Sequence, residues 1–89
     1  MDKLRFAIIG CGRIAYRHIE AMVNNDLTTK LVAVCDVLPE KMDKVIDDYY
    51  NLMNDKGHES LERIEKYTDF NEMLARERID IVIIATESG

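Results

Sequence analysis

The sequence predicts an α/β domain built on an all-parallel sheet. Three observations carry that prediction. Apolar runs of strand length recur along the chain. Stretches with helical apolar spacing alternate with them. The first apolar run passes into a helix through two closely spaced glycines, in "FAIIGCGRIAYRH". The 89 residues are enough for one small domain, and no internal repeat or linker divides them.

The elements follow in order. "LRFAIIG" (4–10) is nearly continuous in apolar residues, as a strand covered on both faces should be. From Arg13 to about Asn24 a helix is predicted, with Ala15, Ile19, Met22 and Val23 on one face. "NND" (24–26) ends it with turn residues. "KLVAVCD" (30–36) is a second buried strand. Pro39 suits the first turn of another helix, where its missing N–H costs nothing. Met42, Val45, Ile46, Tyr49, Leu52 and Met53 form that helix's apolar stripe, and Gly57 stops it. "RIEKY" (63–67) is a short third strand. Asp69 and Glu72 resemble a capping box for a short helix, with Phe70, Met73 and Leu74 facing inward. "IDIVIIAT" (79–86) is a fourth, buried strand. The pattern β-α-β-α-β-α-β implies right-handed crossovers, and half a Rossmann fold with one further strand would have the spatial order 3-2-1-4.

Composition narrows the function classes. The net charge of −5 argues against a nucleic-acid binder. Residues 1–35 nevertheless carry a net +2 and residues 36–89 a net −7, so the glycines lie in the positive part. No apolar run reaches membrane-spanning length, and the first is too short and too closely followed by Arg13 and Arg17 for a signal peptide; the default is cytoplasmic, with no membrane partner. Cys11 and Cys35 form no CxxC pair, and with His18 and His58 they make no metal pattern. Both read as reduced structural thiols. His18, Arg17, His58 and the Tyr49–Tyr50 pair read as structural or solvated residues.

Gly10, Gly12 and Ala15 match G-x-G-x-x-[G/A] between a strand and a helix. Gly10 would permit the tight turn. Gly12, lacking a Cβ, would let the backbone approach a pyrophosphate, and Ala15 would let the helix pack on the strand. The Arg13 and Ile14 N–H groups would be helix-start donors for the anion. Asp36 closes the second strand, where a carboxylate binds the adenosine ribose hydroxyls and repels a 2′-phosphate. No arginine directly follows it, so the reading is NAD over NADP. "ATESG" (85–89) puts Thr86, Glu87 and Ser88 beyond a strand's carboxyl end, where a nicotinamide ribose would lie. Two plainer readings stay open. The glycines could only shape a turn, with Asp36 a helix-entry residue. A methyltransferase also has a glycine loop, but usually with an acid just before the first glycine, where this chain has Ile9.

"AIIGCGRIAYRH", "VAVCD", "YTDFNEML" and "IDIVIIATESG" together resemble the amino-terminal Rossmann domain of the Gfo/Idh/MocA oxidoreductase family, with UDP-N-acetylglucosamine-type 3-dehydrogenases as the nearest members. Most of the family has a proline after the threonine, where this chain has Glu87. The resemblance implies hydride transfer between a sugar or nucleotide-sugar carbon and nicotinamide. It implies that the loop Gly10, Cys11, Gly12, Arg13, Ile14 holds the pyrophosphate, Asp36 the adenosine ribose, and Thr86–Ser88 the nicotinamide half. The family's catalytic lysine lies in a Glu-Lys-Pro segment past the next strand, so no catalytic residue is assigned within residues 1–89. These residues are expected to be the dinucleotide-binding domain of a longer enzyme, inactive alone, with an apolar last strand edge that favours homo-oligomers. The alternative is a stand-alone nucleotide-binding or regulatory module without catalysis.

Overall fold

The apolar run at the start of the chain forms β1 (Leu4–Ile9) near the middle of a four-stranded parallel sheet. The computed structural model describes residues 2–58 and 61–85. After β1 come α1 (Ala15–Asn24), β2 (Thr29–Cys35), α2 (Pro39–Asp55), β3 (Glu65–Tyr67), α3 (Phe70–Arg76) and β4 (Ile81–Ile84). The strand order is β3-β2-β1-β4, the doubly wound order expected, with the reversal between β1 and β4.

Strand alternation sorts the apolar residues into two cores. Ile8, Leu31 and Val34 meet Ile19 of α1 and Val45 and Tyr49 of α2 on one face. Ala7, Val32, Ala33 and Cys35 meet Met73 of α3 on the other. In β2, Val32 and Ala33 are consecutive yet share a face. The β1–β2 register explains this: Phe6 pairs with Leu31 and Ala7 with Ala33, so Val32 is one extra residue in β2. Such a bulge resets the alternation and keeps Val34 in the larger core.

Several boundaries and burials differ from the sequence reading. α1 starts at Ala15 rather than Arg13, because the Ala15, Tyr16 and Arg17 N–H groups bond the Gly12, Arg13 and Ile14 carbonyls in a tighter turn first. β3 is only three residues long. β4 is not covered on both faces: Ile81 and Val82 are 38% exposed and Ile84 is 70% exposed. Among the described residues it pairs only with β1. Phe70 and Leu74 are half exposed rather than inward. The seven-residue α3 packs against β2 and β3, where Met73 is fully buried, and leaves the β4 side of that face open.

Capping follows local chemistry. The Asp69 carboxylate accepts the Asn71 N–H at 2.8 Å, while Glu72 pairs with Arg76 instead of completing a box. Gly57, with φ +96°, ends α2: its N–H bonds the Asn54 carbonyl and the His58 N–H bonds the Met53 carbonyl, a Schellman arrangement.

That ending places Lys56 and His58 against Asp26, on the turn after α1. Lys56 Nζ donates to Asp26 Oδ1 at 2.9 Å and to the Val23 carbonyl at 2.9 Å, and His58 Nε2 contacts Asp26 Oδ2. The hydrogen bonds from Lys56, then from His58, hold the Asp26 carboxyl down to about 2. Its folded pKa is therefore below its unfolded value near ~3.9. Stability from this clasp is full above that value and is lost as pH falls toward 2. Melting curves of the chain between pH 6 and pH 2 are expected to show an acid limb that Asp26→Asn flattens. An unchanged limb would mean that the clasp does not respond to pH.

Candidate functional site

The site forms where β1 and β2 end side by side. At Gly10 the chain turns with φ +88°, a conformation that non-glycine residues avoid. The Gly10 N–H still donates to the Cys35 carbonyl at 2.8 Å, so the turn begins on the edge of the β1–β2 ladder. Gly12 to Ile14 then run as a turn into α1, and Ala15 is completely buried against the sheet, as its place in the motif requires.

The predicted residues divide into groups with different tasks. Gly10 and Gly12 are partly exposed, and Arg13 and Ile14 are exposed at the start of α1. Among the described residues, the Gly12 and Ile14 N–H groups have no acceptor. They are the donors such a turn can offer an anion, supported by the helix dipole. Cys11 differs from that expectation: its N–H donates to Asp36 Oδ2 at 2.8 Å, and its side chain is buried in the larger core. Asp36 itself stands half-buried directly after β2, beside the turn. Its other oxygen, Oδ1, accepts the Leu38 N–H at 2.9 Å. Thr86, Glu87 and Ser88 lie outside the described residues. Ala85, just before them, donates its N–H to the Ile9 carbonyl at 2.8 Å.

Two hollows flank the turn. One, of about 240 Å³, is lined by Gly10, Asp36, Val37, Thr68 and Phe70, an apolar slot with one carboxylate at its edge. The other, of about 390 Å³, lies between the starts of α1 and α2 and is lined by Gly12, Arg13, Tyr16, Lys41, Lys44 and Asp48. Lys44 is bound to Asp48 at 2.9 Å. Sequence reading missed these α2 lysines because it sought a cation only directly after Asp36; the four- and seven-residue steps from Val37 to Lys41 and Lys44 put them on the first two turns of α2, facing the glycine turn. It also missed Val37, Thr68 and Phe70, which three different segments bring together.

An apolar slot, a carboxylate at a strand end and a helix-start glycine turn, all at the carboxyl end of a doubly wound sheet, define a dinucleotide-binding domain of Rossmann type. Residues 4–89 match the model of the oxidoreductase family with an NAD-binding Rossmann fold, Gfo/Idh/MocA, and the chain belongs to that family. Similar solved structures agree. The WlbA dehydrogenase from Chromobacterium violaceum, in complex with NADH and UDP-GlcNAcA, is 29% identical, with a TM-score of 0.77 over 97% of this chain and 21% of that one. The WlbA dehydrogenase from Bordetella pertussis, with the same ligands, is 27% identical, with a TM-score of 0.74 over 96% of this chain and 22% of that one. Myo-inositol 2-dehydrogenase from Lactobacillus plantarum is 28% identical, with a TM-score of 0.70 over 97% of this chain and 22% of that one. The chain thus spans about a fifth of the length of the solved relatives it matches.

Both cysteine side chains are buried beside the site. Burial, then the nearby Asp36 charge, pushes the Cys11 thiol up to about 12, and burial raises Cys35 as well. Cys11 and Cys35 side chains belong to cores on opposite faces of the sheet. A thiol reagent at pH 8 is expected to find neither cysteine in the folded chain and both after denaturation. Fast labelling of Cys11 under native conditions would show that the turn opens around it.

Proposed function

We propose that residues 1–89 are the cofactor-binding domain of an NAD-dependent oxidoreductase that transfers a hydride between a nucleotide-sugar or sugar carbon and nicotinamide. The observation that carries this reading is the carboxylate of Asp36 set beside a glycine turn whose Gly12 and Ile14 N–H groups have no acceptor among the described residues. The relatives solved with NADH and UDP-GlcNAcA support the cofactor and the nucleotide-sugar class of substrate. Gly10, Gly12, Arg13 and Ile14 would hold the pyrophosphate and Asp36 the adenosine ribose. Thr86, Glu87 and Ser88 are proposed for the nicotinamide side. The substrate and the catalytic groups would meet this domain from the rest of a longer chain, and the domain alone would not turn over. Two buried free thiols suit a cytoplasmic setting.

With the cofactor bound, nicotinamide C4 would supply or accept the hydride. This chain's own part is to bind and orient. The turn and the α1 start neutralise the pyrophosphate, and Asp36 accepts from the ribose hydroxyls with the lone pairs its backbone bonds leave. A 2′-phosphate would meet that carboxylate, which favours NAD over NADP. Isothermal titration of the chain is expected to show binding of NAD and ADP-ribose and weaker binding of NADP. A folded sample that binds NADP as tightly as NAD would remove Asp36 as the selector. A folded sample that binds none of the three would count against the site.

We also propose self-association through β4. Among the described residues its outer edge has no partner strand, Ile81, Val82 and Ile84 are exposed on its faces, and none of its four residues carries a charge to discourage pairing. Sedimentation is expected to give a concentration-dependent mass that Ile84→Lys lowers. A concentration-independent monomer would end this part of the proposal.

A further inference from the structure

The carboxylate expected to face the ribose is already bonded on both oxygens. Asp36 Oδ1 accepts the N–H of Leu38, two residues on, in a local Asx turn. Asp36 Oδ2 accepts the N–H of Cys11, from the turn after the neighbouring strand. The Asp36 N–H donates to the Tyr67 carbonyl at 3.1 Å. One residue therefore joins the ends of β1, β2 and β3. Asp69, at the matching place after β3, gives a control within the same molecule. Among the described residues its carboxylate accepts only the local Asn71 N–H, at 2.8 Å, and its turn holds without a second bond. The bond to Cys11 is thus not a by-product of Asx geometry.

The Cys11 peptide is where that bond matters. It lies between Gly10, which sits at φ +88°, and Gly12, both residues without a Cβ to restrict them. Two glycines around one residue make a loose segment unless something fixes the middle. The buried Cys11 side chain and the Asp36 carboxylate fix it from two directions. The charge on the acceptor makes this the stronger kind of hydrogen bond. That bond fixes the peptide next to the one that carries the Gly12 N–H, and the tight-turn bonds from Ala15, Tyr16 and Arg17 to the Gly12, Arg13 and Ile14 carbonyls continue the order into α1.

We propose that Asp36 is a positioning residue for the pyrophosphate site in addition to a ribose ligand: by holding the Cys11 N–H it pre-forms the glycine turn that receives the anion. This rests on the dinucleotide reading above. It differs from that reading in one respect. A pure ribose ligand should matter only to ligands with ribose hydroxyls. A positioning residue should matter also to an anion that has none.

Two measurements test it. Amide hydrogen exchange on the chain without ligand reads the tie directly. Protection is expected at Cys11 in the wild-type chain, lost in Asp36→Ala, with the β1 amides Ala7 and Ile8 unchanged. Equal exchange at Cys11 in both proteins would overturn the tie. Titration with 2′,3′-dideoxyadenosine 5′-diphosphate, which lacks the ribose diol, reads the consequence. Asp36→Ala is expected to weaken this probe about ten- to a hundred-fold, the worth of a hydrogen bond to a charged group. Asp36→Asn, with one acceptor oxygen, should fall between. Undiminished binding of the dideoxy probe by Asp36→Ala, beside reduced binding of ADP-ribose, would overturn the positioning role and leave the ribose role standing. A wild-type chain that binds neither probe would sink the dinucleotide reading and the ligand half of this proposal with it, while the exchange result would still decide the tie.

Discussion

Parallel strands cannot be joined by a tight hairpin, so each must send its chain back along a helix. At the end of β1 that reversal has to start within the width of one strand, because β2 and β4 flank it on both sides. Gly10 makes the start possible with φ +88°, while its N–H stays on the Cys35 carbonyl. The constraint then propagates. A turn this close to the ladder leaves α1 pointing its first N–H groups over the sheet's end. The tight turn at Gly12–Ile14 delays the helix to Ala15, whose small side chain lets α1 sit directly on the sheet. Placing an anion site there requires no further element.

The same geometry explains which parts of the fold were legible in the sequence. Periodicity reports the face a residue belongs to, and it placed Ile19, Met22, Val45 and Tyr49 correctly. It also set the element order, while the strand order 3-2-1-4 followed from the Rossmann pattern of a half fold with one further strand. Periodicity does not report how far a neighbour extends. Phe70, Leu74 and Ile84 carry the apolar signal of core residues, yet α3 has only seven residues and all three stay exposed. Nor does it report pairs brought together by folding. Asp26 reads as a turn residue and His58 as a loop residue, and only the two helix endings packed side by side turn them into partners.

The site shows the same division. Gly10, Gly12, Ala15 and Asp36 are visible because their tasks fix both residue type and spacing. The methyltransferase alternative was separable from the residue before the first glycine, and the family match agrees. Cys11 was grouped with the anion-binding loop because it lies within it. The structure instead commits its N–H to Asp36 and its side chain to the core. A motif states which positions a turn needs, but not which of its donors remain free after the neighbouring strand has used some. The slot walls Val37, Thr68 and Phe70 left no sequence signal, since each comes from a different connection.

Charge raises a last question, because a chain of net charge −5 is assigned a ligand with an anionic pyrophosphate. The screening length at physiological salt is about 8 Å, so the sum over the chain matters less than the groups within a turn or two of the site. There Arg13, Lys41 and Lys44 stand around the hollow next to Gly12, against Asp48, which Lys44 already neutralises. On the other side of the turn stands Asp36, whose two oxygens accept the Cys11 and Leu38 N–H groups, with Asp69 further along near Cys35. The negative charge of the chain is drawn largely from the second half, on the exposed faces of α2 and α3 and the loops around them. The local balance at the turn is therefore set by cations and backbone dipoles, and the acidic surface acts on solubility and on the approach of ligands rather than on the bound state.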